Sequence, residues 1–441
     1  MKKYSIAIVG GASSYTPGIV RSIMNAYDKM PIKEIILQDI DEEKLDVMGE
    51  YLEILFRDEK FPADVKWTTS RKKAFKGVDF IFTQIRTGGL EMREQDEKVS
   101  INCGLVGQET CGPGGFAFAM RSIKPMIEIT KDAIKYAKDA WIINYSNPLP
   151  ILAEAIRREV PESKSLFICD MPIVQQMTMA ATLGYKEEDL IFEYFGLNHF
   201  GWFTSIKNKE GEELLPKLRD ILLSGYKLKL VDFGHLDESW IKTFENIAKG
   251  VKMFPEYIPL TYLQYYYFPD SMAEKEKEHA DYTRANEVMD GRRKKVFEEC
   301  YKVIKAGTIK GFDHNLDAHG DFIVDQAVAI ATDTPKRFMV NVVNNKAFTN
   351  MDDDIVIETF GTINAKGACV NTYRKIPQFY RALMINQNTY EKLTVEAALE
   401  GSYDKALKAL SLNKTVPSVS KAKEVLDALI VANKGYFPEL K

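Results

Sequence analysis

The chain has 441 residues, and 59 Lys and Arg against 63 Asp and Glu leave a net charge of −4. With 45% apolar and 28% charged residues it reads as a soluble globular protein, long enough for two or three domains with real cores. Five Cys in such a length exclude a disulfide-stapled scaffold, and the lack of a basic excess excludes a nucleic-acid binder.

Met1-Lys2-Lys3-Tyr4 precedes an apolar run of about six residues that meets Gly10-Gly11, too short for a signal peptide and without a cleavage site. No apolar run approaches the roughly 20 residues needed to cross a membrane. The expectation is a cytoplasmic protein with reduced thiols and no membrane partner.

Tyr4–Val9 reads as a continuous apolar strand of the doubly buried, parallel type. Gly10-Gly11-Ala12-Ser13-Ser14 follows, and Thr16-Pro17 suits a helix start with Pro in its first turn. Ile19, Val20, Ile23 and Met24 then recur at helical spacing. Residues 34–38 form a second strand with Asp39 at its end, and residues 42–56 a helix. Further strands are expected at 65–68, 79–84, 140–144, 165–168 and 190–195, separated by helical stretches. This alternation predicts an α/β protein with a parallel sheet covered on both faces. After Gly196 the pattern changes to one strand at 200–206 and Lys/Glu-rich helices such as 292–304 and 421–433.

A strand, a Gly-rich turn, a helix and a second strand ending in an acid make a mononucleotide-binding unit. In it Asp39 would bond the ribose hydroxyls and favour NAD over NADP. Ala12 and Tyr15 stand where G-x-G-x-x-G has its second and third glycines, so the turn equally suits another phosphate.

Further segments narrow the choice. They are Thr83-Gln84-Ile85-Arg86-Thr87-Gly88-Gly89, Val106-Gly107-Gln108-Glu109-Thr110-Cys111-Gly112-Pro113-Gly114-Gly115 and Asn144-Tyr145-Ser146-Asn147-Pro148. Cys169-Asp170-Met171-Pro172 and Gly196-Leu197-Asn198-His199-Phe200-Gly201-Trp202 follow. With Gly10-Gly11 and Tyr15-Thr16-Pro17, this order and spacing resembles glycoside hydrolase family 4. The resemblance covers essentially the whole chain, including Thr261-Tyr262-Leu263-Gln264-Tyr265-Tyr266 and Thr283-Arg284-Ala285-Asn286-Glu287.

The resemblance implies glycoside hydrolysis with NAD and a divalent metal, usually Mn2+, outside the two-carboxylate scheme of most glycosidases. Hydride passes from C3 of the sugar to NAD, a base removes the acidified C2 proton, the aglycone leaves from C1, and water addition and reduction complete the cycle. It implies an N-terminal Rossmann-like doubly wound sheet over residues 1–196, which binds NAD. A C-terminal mixed, largely helical α+β domain over 197–441 would carry substrate binding, catalysis and oligomerisation. The overall plan is that of lactate and malate dehydrogenases, with a cleft between the halves.

Residue by residue, Cys169 and His199 match the metal ligands, Asp170 the general acid, Tyr262 the C2 base and Glu109 a residue tuning the site's basicity. Gly10, Gly11, Ser13, Ser14, Asp39, Gln84 and Asn144 match the cofactor site, and Arg93, Asn147 and Arg284 the substrate site. Cys-Asp-Met-Pro resembles the form found in 6-phospho-α-glucosidases, whereas the β-specific enzymes look more like Cys-Asn-x-Pro. The implied substrate is a phosphorylated disaccharide such as maltose 6'-phosphate, and the implied assembly a homodimer or homotetramer.

The residues alone keep other readings open. Cys169 and His199 also suit a buried thiol and a packed imidazole. Asp170 suits a cap for a helix beginning near Pro172, and Tyr262, Tyr265, Tyr266 and Tyr267 suit packing aromatics. Glu109 suits a solvated acid in an exposed, glycine-rich loop. A 6-phospho-β-glucosidase, an NAD-dependent 2-hydroxy-acid dehydrogenase and a non-catalytic NAD or sugar-phosphate sensor are the competing functions. A dehydrogenase's usual Gly-x-His-Gly-like loop is absent from the sequence. Cys103, Cys111, Cys300 and Cys369 read as ordinary thiols, and His314 and His319 as surface or helix-cap histidines. The charged run 274–279 reads as a solvated turn or mobile loop, placed between Tyr262 and Arg284 where it could serve as a lid.

Overall fold

The computed structural model describes residues 2–225, 229, 238–312 and 320–441. Its strands are β1 (Tyr4–Val9), β2 (Ile32–Gln38), β3 (Asp64–Thr68), β4 (Phe80–Thr83), β5 (Trp141–Asn144) and β6 (Ser165–Phe167). Then come β7 (Leu190–Leu197), β8 (Phe200–Asn208), β9 (Ile258–Pro259), β10 (Lys336–Val343), β11 (Val356–Asn364) and β12 (Gly367–Cys369). They form one 12-stranded sheet in the order β3-β2-β1-β4-β5-β6-β10-β11-β7-β8-β9, with β12 paired to β11. Pairings among β1 to β6 are parallel. From the β6–β10 pair onward they are antiparallel.

The parallel half is the doubly wound sheet expected from the alternating pattern, and both of its faces are apolar. Ile6 and Ile8 of β1 face one way, with Ile35, Leu37, Phe80 and Phe82. The helices Thr16–Asn25, Glu42–Asp58, Lys294–Ala306 and Asp321–Thr332 supply partners to that core. Ala7 and Val9 face the other way, with Ile36, Ile81 and Ile142, under the helices Arg71–Phe75 and Gly112–Tyr136. This period-2 split explains why β1 and β2 read as unbroken apolar runs.

Four strands, β9 to β12, were not expected from the sequence. β10 and β11 insert between β6 and β7, so Asn341 pairs with Phe167, 174 positions earlier. The charged run 274–279 is also not a loop through most of its length. The helix Pro269–Lys277 includes it up to Lys277. Glu276 turns inward from that helix and accepts a 2.6 Å hydrogen bond from the Gly107 amide. His314 and His319 lie outside the described residues. Among the described residues, no helix is long and apolar enough to cross a membrane.

Packing of the helix Glu42–Asp58 on β3 has one tight point. A Cβ at Gly49 would lie 2.2 Å from the Trp67 indole, whose N–H is held 2.8 Å from Asp46 Oδ1. In Gly49→Ala, overpacking of about 1–3 kcal/mol should exceed the helix-propensity gain of about 1 kcal/mol. The expected result in urea unfolding is a lower midpoint with an unchanged slope.

Candidate active site

β1 runs into Gly10, whose φ of +81° suits glycine. A Cβ there would lie 2.7 Å from the Gln84 carbonyl oxygen, and one on Gly11 would lie 2.8 Å from Leu37 Cβ. The turn therefore packs hard against the ends of β4 and β2. It lies where the strand order reverses, between β1 and β4, the usual ligand crevice of an open α/β sheet.

Gln84 Nε2 donates to Gly10 O at 3.1 Å and to Thr16 Oγ1 at 2.8 Å, while its Oε1 is buried without a protein partner. Asp39 accepts from the Ala12 amide at 3.0 Å and from the Ile40 amide at 2.7 Å. Ser13 Oγ accepts from the Tyr15 amide, and Ser14 is half-buried in the same turn. Gly10, Gly11, Ser13, Ser14, Asp39 and Gln84 thus share one turn region. Asn144 ends β5; its buried amide is engaged with Thr83 Oγ1 and with the backbone of Ser146.

Cys169 follows β6, and His199 lies in the two-residue turn of the β7–β8 hairpin. The turn is held by a fully buried carboxylate. Glu358 of β11 accepts from Asn198 Nδ2 at 2.8 Å, from the Tyr194 hydroxyl at 2.9 Å and from Asn341 Nδ2 at 3.2 Å. His199 itself has φ +62°, a left-handed conformation that surrounding contacts must enforce on a non-glycine residue.

Its Nε2 lies 3.4 Å from Cys169 Sγ, and its Nδ1 lies 3.3 Å from Thr110 Oγ1. The Tyr262 ring stacks on the imidazole at 3.9 Å with an interplanar angle of 7°. Gln175 fixes the segment before Tyr262, donating to Pro259 O and accepting from Thr261 N, both at 2.9 Å. Burial pushes the Cys169 thiol and the Tyr262 phenol well above their ordinary pKa values. Burial also brings the His199 imidazole down to about 4, against the pull of Glu109.

The donor chemistry fits a divalent cation. Ligands about 2.3 and 2.1 Å from one ion, at tetrahedral to octahedral angles, lie about 3.1–3.6 Å apart, which brackets the observed Sγ···Nε2 spacing. Among the described residues no third His, Cys, Asp or Glu joins them, so other positions fall to water or substrate oxygens.

Asp170 begins the helix Met171–Leu183 but its side chain makes no cap bond. Its Oδ2 instead accepts from the Tyr145 hydroxyl at 2.7 Å. The Tyr145 ring meets Tyr15 edge-on at 6.4 Å, linking Asp170 to the Gly-rich turn.

Glu109 is not an exposed loop acid. The glycines after Cys111 belong to the helix Gly112–Tyr136, and Glu109 tucks between Arg86 at 2.7 Å and Arg93 at 3.0 Å. Burial opposes its charge, but Arg86 and Arg93 outweigh burial and hold its pKa down to about 2. Arg93 also reaches Glu97 at 2.7 Å, and Glu97 accepts from the Ala285 amide at 2.9 Å. Arg284 is the neighbour of Ala285, half-exposed and paired with Glu287 at 2.5 Å. Asn147 is half-buried after β5, its Oδ1 accepting from the Leu149 amide. Arg86, Thr110, Tyr145 and Glu358 complete the framework without having been singled out from the sequence. The first three lie in or beside quoted motifs, and Glu358 was visible only as a lone acid in Val-Ile-Glu-Thr-Phe.

The model of the family described as "Family 4 glycosyl hydrolase" matches residues 5–185, and that of its C-terminal domain matches 194–416. The phospho-alpha-glucosidase PagL of Clostridium acetobutylicum is 46% identical, and the alignment covers 100% of both chains. A crystal structure of a 6-phospho-alpha-glucosidase from gut microorganisms, with NAD and Mn2+, is 43% identical with TM-score 0.96 over 100% of both chains. Another from the same source, with NAD and glucose-6-phosphate, is 39% identical with TM-score 0.93, again over 100% of both. A lactate dehydrogenase from a deep-sea metagenome library, 12% identical with TM-score 0.54 over 90% of this chain and 100% of its own, shares the fold alone.

The pairing of Glu109 sets a pH signature. Because its pKa is lowered from 4.5 to about 2, its stabilisation is present above pH 4.5 and disappears as pH falls towards 2. Glu109→Gln should therefore lose up to about 3 kcal/mol at neutral pH, leaving two guanidinium groups without their shared carboxylate. Unfolding free energies of the two proteins should converge on acidification through that window; a gap that widens would contradict the pairing.

Proposed function

The chain belongs to glycosyl hydrolase family 4, and from that premise we propose that it hydrolyses 6-phospho-α-glucosides to glucose 6-phosphate, using NAD and a divalent cation such as Mn2+. Maltose 6'-phosphate is a representative substrate. The observation that carries this reading is the meeting of Cys169, His199, Tyr262 and Asp170 beside the Gly10–Gly11 turn, in a chain matched end to end by phospho-α-glucosidases. The same reading takes the protein as a cytoplasmic homodimer or homotetramer.

In this reading Gly10, Gly11, Ser13, Ser14, Gln84 and Asn144 form the dinucleotide site. Asp39 accepts three backbone amides, from Ala12, Ile40 and Asp41, and its Oδ2, with only one of them, keeps a lone pair for the adenosine ribose. Ile40 beside it is 91% exposed, an apolar platform for the adenine. Cys169 and His199 hold the cation. When bound, NAD supplies a reversible hydride acceptor for C3 of the sugar, and the cation supplies Lewis-acid polarisation of the C2 and C3 oxygens.

Tyr262 takes the proton from C2, and the electrons of that C–H bond form a double bond to C1. The C1–O bond breaks, its electrons leave with the glycosidic oxygen, and Asp170 delivers a proton to that oxygen. Water then adds at C1, giving its proton to the Asp170 carboxylate, as Tyr262 returns its proton to C2. Burial and the Glu109 charge both hold Tyr262 protonated, so the positive charge of a bound cation would be what favours the phenolate that accepts the C2 proton. Arg93, Arg284 and Asn147 bind the substrate, the guanidinium groups addressing the 6-phosphate.

This reading is tested with 4-nitrophenyl-α-glucoside 6-phosphate. Hydrolysis should require both NAD and Mn2+, stop on complete chelation, fail in Cys169→Ser, and leave no net NADH absorbance. Undiminished turnover after full removal of metal would sink it. The β-anomer and the unphosphorylated glucoside should be poor substrates. Arg284→Ala should raise KM for the phosphorylated one by about tenfold or more, the loss of a charged hydrogen bond.

A further inference from the structure

We infer that Tyr145 is a positioning residue for proton delivery, its phenol holding Oδ2 of Asp170 so that Oδ1 is presented to the leaving oxygen of the substrate. The inference rests on the reading of Asp170 as the general acid.

A carboxylate at the first position of a helix ordinarily turns back onto the helix amides. Asp170 does not: the helix Met171–Leu183 starts at it without a side-chain cap bond. Among the described residues its carboxylate has one hydrogen bond, accepted from Tyr145 at 2.7 Å. Without that bond, rotation towards the cap would compete with the catalytic orientation.

The donor is fixed more firmly than the acceptor. The Tyr145 amide donates to Thr83 O at 2.8 Å. Asn144 before it and Ser146 after it are bonded to Thr83 Oγ1 and to the Ile85 amide. The ring abuts Tyr15 edge-on, and Tyr15 is itself covered by the Arg292 guanidinium at 4.5 Å from its centroid. The phenol therefore approaches Asp170 from one direction only. Proton transfer needs the acid within hydrogen-bonding reach of the departing oxygen, so a carboxyl turned away loses rate even though it remains present.

A positioning role has a chemical signature that packing lacks. A sugar alcohol is a poor leaving group and needs its proton as the C1–O bond breaks, whereas 4-nitrophenolate departs readily without one. The experiment compares kcat/KM for maltose 6'-phosphate and 4-nitrophenyl-α-glucoside 6-phosphate in the holoenzyme, in Tyr145→Phe and in Asp170→Asn. The ratio of the two values in one preparation does not depend on how much of it is folded.

In Tyr145→Phe that ratio should fall about tenfold to a hundredfold, the effect of one hydrogen bond to a charged group. In Asp170→Asn it should fall further, by about 10²–10⁴. A selective loss in Asp170→Asn alone, with Tyr145→Phe slowing both substrates equally, overturns the role given to Tyr145 and leaves the acid assignment standing. An unselective loss in Asp170→Asn overturns the acid assignment and this inference with it.

Discussion

Glu358 is the carboxylate on which the join between the parallel and antiparallel halves of the sheet turns. It gathers Tyr194 from β7, Asn198 from the hairpin turn and Asn341 from β10. The same Asn341 amide reaches back to Phe167 O on β6, two residues before Cys169. One buried acid and one amide thus set the distance between a thiol delivered by the parallel half and an imidazole delivered by the antiparallel half. Burial lifts the Glu358 pKa to about 7 despite its three donors. An apolar residue there would take that acceptor from the buried Tyr194 hydroxyl and Asn198 amide, at about 1–3 kcal/mol each, while Asn341 would keep its bond to Phe167 O.

A second acid governs charge. Glu109 faces Arg86 and Arg93 on one side and the His199–Tyr262 stack on the other. Through Arg93 and Glu97 the same chain of contacts reaches the helix that begins with Arg284. The region proposed to bind phosphate and the pair proposed to bind metal are therefore electrostatically continuous. This also explains how a chain with net charge −4 can concentrate arginine at one place.

What was legible in the sequence was local. β1, its glycine turn, the helix at Thr16 and the acid ending β2 follow one another within forty residues, and periodicity with turn chemistry is enough to read them. Cys169 and His199 could be placed at strand ends for the same reason, though their meeting rested on resemblance. β10 and β11 were missed because nothing near them in sequence says that they slip between β6 and β7. Glu276 and Glu109 were misread for one shared reason: charge-rich or glycine-rich composition suggests exposure, whereas each carboxylate has its specific partner on a distant element. Tyr145 sat inside a recognised motif, yet its partner Asp170 lies 25 positions away.

The continuity of the sheet has a mechanical consequence. A two-lobed enzyme with a flexible connection can open by swinging one lobe from the other. Here the strands on either side of the site belong to one hydrogen-bonded ladder, stitched across β6, β10, β11 and β7. Swinging the halves apart would tear that ladder and pull the thiol from the imidazole. The floor of the site is therefore rigid, and entry and exit of a disaccharide are left to the helices and loops above it.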